Sequence, residues 1–234
     1  MKKHIPNCIT LCNICCGVAA IILALKGAFL VSFLAMLAAA VFDFLDGMVA
    51  RAIHAYSEVG RELDSLCDVV SFGVAPAMML WGLLEYSTAP LWARIFVFAI
   101  VPASALRLAI FNVDTSQSSS FRGLPTPACA IFAGSIAAWA DVDRVFGSVL
   151  CQNWWFIIGA AVVLAGLLVS RIPMFSLKIH SLKWSENKEL YCFGVLVLAV
   201  IIPLIFLRYP WPSAICALFA LYIGWNLIKG ILSR

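Results

Sequence analysis

Apolar residues run through this chain in long blocks rather than as one face of amphipathic segments. Eight blocks can be drawn, at roughly 8–25, 28–51, 62–84, 90–112, 124–140, 149–170, 190–207 and 213–231. Most approach the ~20 residues that a helix needs to cross ~30 Å of hydrocarbon. The fifth block is short and 84–90 is a tight turn, so six to eight spans are expected, with eight drawn. The pattern predicts an all-α, polytopic integral membrane helical bundle. Short connections join the blocks and no internal repeat interrupts them, so residues 1–234 read as a single membrane domain. The first block follows Lys2, Lys3 and His4, as a signal peptide would. Its apolar run is long and no small-residue cleavage site follows, so a retained helix is expected, entered at Pro6-Asn7.

Composition agrees. The chain is 64% hydrophobic and 12% charged, where a soluble domain is about half apolar and about a quarter charged. The net charge of +4 suits a membrane face rich in anionic lipid. The basic residues form no stripe, so nucleic acid is not an expected partner. Their distribution sets an orientation. With the N-terminus in the cytoplasm and eight spans, Lys2, Lys3, Arg51, Arg61, Arg122, Arg171, Lys178, Lys183, Lys188, Lys229 and Arg234 fall inside, against Lys26, Arg94, Arg144 and Arg208 outside. The bias predicts cytoplasmic termini in a cell (inner) membrane and places the 51–62 turn in the cytoplasm. The nine cysteines, mostly within apolar runs, read as small buried hydrophobes.

The exception to the apolar blocks is the stretch from Asp43 to Asp68, which holds four of the seven aspartates. A carboxylate at the centre of a membrane helix costs roughly 2.5–3.5 kcal/mol on insertion scales, so four unpaired ones cost on the order of 10 kcal/mol. Asp43 and Asp46 are spaced i, i+3; Asp64 and Asp68 are spaced i, i+4. Each pair therefore shares a helix face. The two helices are joined by a short turn, and helix rise puts both pairs roughly 9–12 Å below the same membrane face. Four carboxylates are expected to converge there. All-oxygen sites select hard cations such as Mg²⁺, Mn²⁺ or Ca²⁺, and two such ions can clamp an in-line displacement at phosphorus. Gly47 and Gly60 allow close approach of a ligand, and Arg51 and Arg61 stand at the mouth, where a phosphate would enter. Structural ion pairing with Arg51, Arg61 and Arg107 is the bland alternative. A divalent-cation transporter is the non-enzyme one, against which the carboxylates cluster near one face instead of forming a relay.

The full pattern, Asp43-x-x-Asp46-Gly47-x-x-Ala50-Arg51, eight residues, Gly60-x-x-x-Asp64-x-x-x-Asp68, resembles the signature of the CDP-alcohol phosphotransferases, with every fixed position filled. Pro6-Asn7-Cys8-Ile9-Thr10 with Asn13 and Gly17, the run Leu63–Ala77, the stretch Ala105–Ala109 with Phe111-Asn112, and Phe121–Ala128 are similar to the phosphatidylserine synthases of that family. The likeness covers residues of about 5–130; the spans at about 149–231 share only hydropathy. Some members carry an amphipathic helix before the first span; here only about seven residues precede it, so that helix is expected to be absent or very short.

The resemblance implies transfer of a phosphatidyl group from CDP-diacylglycerol to the hydroxyl of L-serine, giving phosphatidylserine and CMP. Asp43, Asp46, Asp64 and Asp68 would ligate divalent metal, Mg²⁺ or Mn²⁺, as two ions, and Asp68 would also be the general base. Gly47, Ala50 and Gly60 would line the cytidine end of the CDP-lipid, with Arg51, Asn7 and Thr10 on the same substrate. A cation must meet the serine carboxylate, and Arg107 or Arg122 is expected there. The same chemistry with glycerol 3-phosphate or an inositol phosphate as acceptor, or with an archaeal ether lipid, remains open. Besides the bilayer, a homodimer partner is implied by the family.

Overall fold

A computed structural model describes residues 4–55, 57–113, 121–170, 172–174 and 188–232, and it is helical apart from one two-residue strand pair. In order come α1 (His4–Leu25), α2 (Phe29–Ala52), α3 (Glu58–Asp68), a π-helical turn (Val69–Val74), α4 (Ala75–Glu85), α5 (Leu91–Arg94), a 3₁₀ turn (Ile95–Ala99), and α6 (Ile100–Val113). Strand β1 (Phe121–Arg122) precedes α7 (Thr126–Val142), α8 (Arg144–Gln152) and α9 (Trp155–Leu168). Strand β2 (Pro173–Met174), α10 (Lys188–Phe206) and α11 (Trp211–Leu232) complete the chain.

Five helices are long and apolar enough to cross a membrane: 4–25, 29–52, the continuous 58–85 and 91–113 helices, and 211–229. The pair α8–α9 makes a sixth if taken as one bent span, and 126–142 and 196–206 are shorter apolar helices. All eight expected blocks are therefore helical, and the protein is a multi-pass membrane protein. The sixth block is divided differently from the expectation of one helix over 149–170. Residues 149–152 close α8, and α9 leaves it at 83°. The polar step Gln152-Asn153 causes the break: Asn153 leaves helical geometry, and its side-chain Nδ2 donates to the carbonyl of Val149 at 2.9 Å, closing α8. At the other end of α8, Asp143 accepts from the backbone N–H groups of Val145 and Phe146, both at 3.1 Å.

The helix from Glu58 to Glu85 is the central one. Its apolar window is 67% buried, against 22–33% for the other four spans. It is continuous despite Pro76, which has no N–H and whose ring would strike the carbonyl four residues back. The π turn takes up that conflict: the N–H of Ala75 reaches back five residues to the carbonyl of Val70. Such turns occur mostly where function needs a side chain re-aimed, and this one directly follows Asp68.

Small residues let the helices close on one another, as membrane packing requires. Ala20 and Ala24 of α1, Ala39 of α2, and Ala130, Ala133 and Ala137 of α7 are all buried. A Cβ on Gly17 would fall 2.8 Å from the Ser71 Cα, so α1 touches the π turn backbone to backbone. The cysteines do not all follow the expectation of burial: Cys67 and Cys129 are buried, but Cys8, Cys12 and Cys15 lie on the outer face of α1. Spacing explains this, since the inward face of α1 is taken by Pro6, Thr10, Asn13 and Gly17.

Candidate active site

The motif helices meet as their sequence requires. At the end of α2, Ala55 N–H bonds the carbonyl of Ala50 at 2.9 Å, and His54 turns the chain in the left-handed region at φ 51°. Ser57 then caps α3, its Oγ accepting from the N–H of Gly60 at 3.0 Å. This short turn returns the chain antiparallel, so Asp43 of α2 faces Asp64 and Asp68 of α3. One carboxylate oxygen from each of these three lies within 4.8 Å of the others.

Asp46 does not join that group. It is buried, and its Oδ2 accepts a short hydrogen bond from the hydroxyl of Thr10 on α1. Three residues of helix are 300° of rotation, so side chains at i and i+3 point about 60° apart. Asp43 is thereby turned to α3 and Asp46 to α1. The expected four converging carboxylates are, as placed here, three that face each other and a fourth held beside them.

Asp68 is 7% exposed and accepts from Asn13 Nδ2 at 3.2 Å. Asn13 is itself fixed, because Ser71 of the π turn donates to its main-chain carbonyl at 3.2 Å. Among the described residues no cation lies within 4 Å of a motif aspartate; the ion pair formed by Arg61 is with Glu62, at 3.7 Å on the exposed surface. Structural ion pairing therefore does not explain the aspartates. Asp64 Oδ1 is buried without any hydrogen-bond partner. An unsatisfied carboxylate oxygen within a ring of carboxylates is what a hard cation would occupy, so the residues fit a divalent metal.

Beside the aspartates a cleft of about 670 Å³ opens between α1, the end of α2 and the start of α3. Its walls include Asn7, Thr10, Gly47, Ala50, Arg51 and Gly60, all six residues expected on the CDP-lipid, together with Asp46, Asp64 and Arg61. A Cβ on Gly47 would meet nothing nearer than Arg51 Nη1 at 3.6 Å. Packing therefore does not demand a glycine there, whereas a ligand entering the cleft would. Gly60 differs: a Cβ would come within 2.9 Å of Ser57 Oγ and 3.0 Å of Asn7 Oδ1, disturbing the cap.

Arg107 of α6 is half-buried, and its Nη1 donates to Thr126 Oγ1 at 2.8 Å. It lies close enough to Asp68 for their charges to interact. Its Nε is buried without a partner, and so is Ser104 Oγ, one turn earlier on α6. Thr126 is placed by the Phe121–Pro127 stretch: β1 pairs with β2, Gly123 turns at φ 78°, and Leu124 N–H bonds the carbonyl of Leu167 at 3.0 Å. The side chain of Arg122, the other expected carboxylate binder, lies outside the described residues. Asn13, Ser104 and Thr126 had no expected role. The available signal was a polar amide inside the first span, three residues after Thr10 and on the same face.

Residues 3–167 match the CDP-alcohol phosphatidyltransferase family. The chain belongs to that family. Among its relatives, the CDP-diacylglycerol–serine O-phosphatidyltransferase of Mycobacterium leprae (strain TN) is 35% identical over 177 residues, 73% of this chain and 57% of that protein. The enzyme of that name from Helicobacter pylori (strain J99) is 31% identical over 228 residues, 97% of this chain and 90% of the relative. The archaetidylserine synthase of Methanothermobacter thermautotrophicus (strain Delta H) is 37% identical over 139 residues, 56% of each chain. The chain thus spans little more than half of the mycobacterial relative but nearly all of the Helicobacter one.

Proposed function

We propose that this protein is a CDP-diacylglycerol–serine O-phosphatidyltransferase. The observation that carries the reading is the facing of Asp43, Asp64 and Asp68, with Asp64 also on the wall of a cleft whose other residues suit a nucleotide diphosphate. Divalent-cation transport is the weaker reading, because the carboxylates cluster in one group instead of forming a relay across the bundle. Relatives of this chain over most of its length carry the synthase name. The 97% coverage by the Helicobacter enzyme favours a diacylglycerol lipid over the ether lipid of the archaeal relative, which covers 56%.

Asp43, Asp64 and Asp68 would hold divalent metal, Mg²⁺ or Mn²⁺, and Asp46 would join them by exchanging its Thr10 hydroxyl for a cation. Bound there, two ions would neutralise the diphosphate and the leaving CMP. Arg51 and Arg61 would meet the phosphates at the cleft mouth. Gly47, Ala50, Gly60, Asn7 and Thr10 would line the CDP-lipid. Asp68 is the general base: its carboxylate takes the proton of the serine hydroxyl as that oxygen bonds to the phosphorus bearing the diacylglycerol. The bond from this phosphorus to the CMP oxygen breaks, and CMP leaves with the electron pair. Asn13 holds Asp68 in place for this. Arg107 would bind the serine carboxylate through Nε, which has no partner among the described residues; Arg122 is the other candidate. The eleven-to-four bias of basic residues supports cytoplasmic termini and a site near the cytoplasmic face. A homodimer, and one domain over residues 1–234, complete the reading.

The test is CMP release by purified protein with CDP-diacylglycerol and Mn²⁺ or Mg²⁺, comparing L-serine, glycerol 3-phosphate and inositol phosphate. Release with serine alone is expected. Release only with another acceptor overturns the serine assignment and keeps the chemistry. Metal flux into vesicles without nucleotide, and no CMP release, overturns the enzyme.

A further inference from the structure

Among the described residues, the buried polar groups without a hydrogen-bond partner include the acceptor Asn13 Oδ1, the donor Arg107 Nε and the hydroxyl of Ser104. Asn13 is the most constrained of them. It is fully buried, its main-chain carbonyl is held by Ser71, and its amide nitrogen is on Asp68. The orientation of this amide follows from chemistry, since an ionised carboxylate can only accept and must face the NH₂ group. Oδ1 therefore points away from Asp68. A buried acceptor left empty costs about 1–3 kcal/mol, and neighbouring Gly17 leaves no room for α1 to shift and relieve it.

We propose that Asn13 reads the amino group of the acceptor: its Oδ1 accepts a hydrogen bond from the ammonium of serine while its Nδ2 keeps Asp68 aimed at the adjacent hydroxyl. This rests on the serine reading above and assigns the acceptor selectivity within it. The orphan groups match an α-amino acid in sign. Arg107 Nε suits the carboxylate, Asn13 Oδ1 suits the ammonium, and Ser104 can serve either. A phosphorylated polyol carries anionic oxygens and hydroxyls but no cationic donor, so it would leave the Asn13 acceptor with a weaker partner. In serine the amino and hydroxyl groups sit on neighbouring carbons. Asn13 and Asp68 are likewise neighbours, joined by one hydrogen bond of 3.2 Å, so one amino acid can reach both.

The experiment compares L-serine with 3-hydroxypropionate, which is serine without its amino group, using full-length protein, CDP-diacylglycerol and Mn²⁺. Wild type should prefer serine in kcat/KM by on the order of 100-fold or more, because a site built for a hydrogen bond rejects the analogue lacking it. In Asn13→Ala both acceptors should lose rate through the freed Asp68. Serine should lose at least tenfold more, chiefly in KM, while the KM for CDP-diacylglycerol moves less than about threefold. Asn13→Asp keeps an acceptor oxygen and loses the donor to Asp68, so it should turn over slowly yet retain the serine preference. Serine should also raise the Tm of CDP-loaded wild type and of Asn13→Asp, and not that of Asn13→Ala. Equal losses for both acceptors in Asn13→Ala, or loss of preference in Asn13→Asp, overturn the proposal; where Asn13→Ala fails to fold, the Asn13→Asp arm decides. If wild type releases CMP with a polyol phosphate and not with serine, the failure lies in the serine reading itself.

Discussion

The two ends of the bundle use the same residue in opposite ways. At the far end from the motif, Asp141 accepts from the backbone N–H of Leu30 at 2.8 Å, and Asp143 caps α8. Arg94 Nε donates to the carbonyl of Ala89 at 2.8 Å, and Ser87 to that of Leu84 at 2.6 Å. Asp143, Arg94 and Ser87 each close a local turn, and Asp141 ties the start of α2 to the end of α7. At the motif end, aspartates face aspartates, Asp64 Oδ1 and Asn13 Oδ1 are buried without partners, and Arg107 Nε is left open. Satisfied polar groups near a membrane surface hold helices together. Unsatisfied ones, buried at a ring of facing carboxylates, are poised for something that arrives from outside the chain. The difference separates structural from functional carboxylates without reference to any relative.

The largest effect is expected where a facing aspartate is neutralised. Asp64→Asn keeps the shape of the side chain and removes a charge from the ring. Loss of several kcal/mol of transition-state stabilisation should lower CMP release on the order of 10³-fold or more. Added Mn²⁺ should recover little of it. Activity within tenfold of wild type would show that Asp64 is not a ligand. Asp68→Asn should come next, with turnover reduced roughly 10²–10⁴-fold as expected for a lost general base. CDP-diacylglycerol binding, followed by retention on CDP-lipid vesicles or by inhibition constants, should change little. Near-normal turnover would remove Asp68 from the role of base.

Arg107 stands between the two classes, since its Nη1 is held by Thr126 while its Nε has no partner among the described residues. Arg107→Ala should raise the KM for serine by roughly 10- to 100-fold, the worth of a charged hydrogen bond of about 1.5–3 kcal/mol. The KM for CDP-diacylglycerol should stay within a few-fold. Equal rises in both would make Arg107 a structural residue like those at the far end.

Much of this was legible in the chain. Eight apolar blocks gave eight helical regions, and the spacing of the aspartates gave two antiparallel helices with their acidic faces together. The spacing could not give the rotation that separates Asp46 from Asp43, because i, i+3 specifies a shared face and not a shared target. The six cleft residues came from the family resemblance: Gly47, Ala50, Arg51 and Gly60 are positions of its motif, and Asn7 and Thr10 belong to the Pro6–Thr10 stretch. Thr126 and Ser104 were not found, because tertiary packing alone brings Thr126 to Arg107 and Ser104 against Gly73 of the π turn, and nothing in hydropathy reports a π turn. The break at Asn153 was hidden for a related reason: an apolar block reads alike whether its helix is straight or bent by 83°.

The smallest expected effect tests the satisfied end. In Asp141→Asn a neutral amide oxygen still accepts from Leu30 N–H, so the hydrogen bond survives in weaker form. Charge-assisted bonds are about twice as strong as neutral ones, and Asp141 is exposed, so the loss should be about 0.5–1 kcal/mol. Tm should fall by a few degrees at most, read in detergent by loss of monodisperse protein on heating. Turnover per folded molecule, and both substrate KM values, should be unchanged, because the residue acts through the seating of α2 on α7 at the end remote from the cleft. A turnover loss comparable to that of Asp64→Asn, with Tm intact, would mean that the far end is coupled to chemistry and that satisfied and unsatisfied carboxylates do not divide structure from function in this bundle.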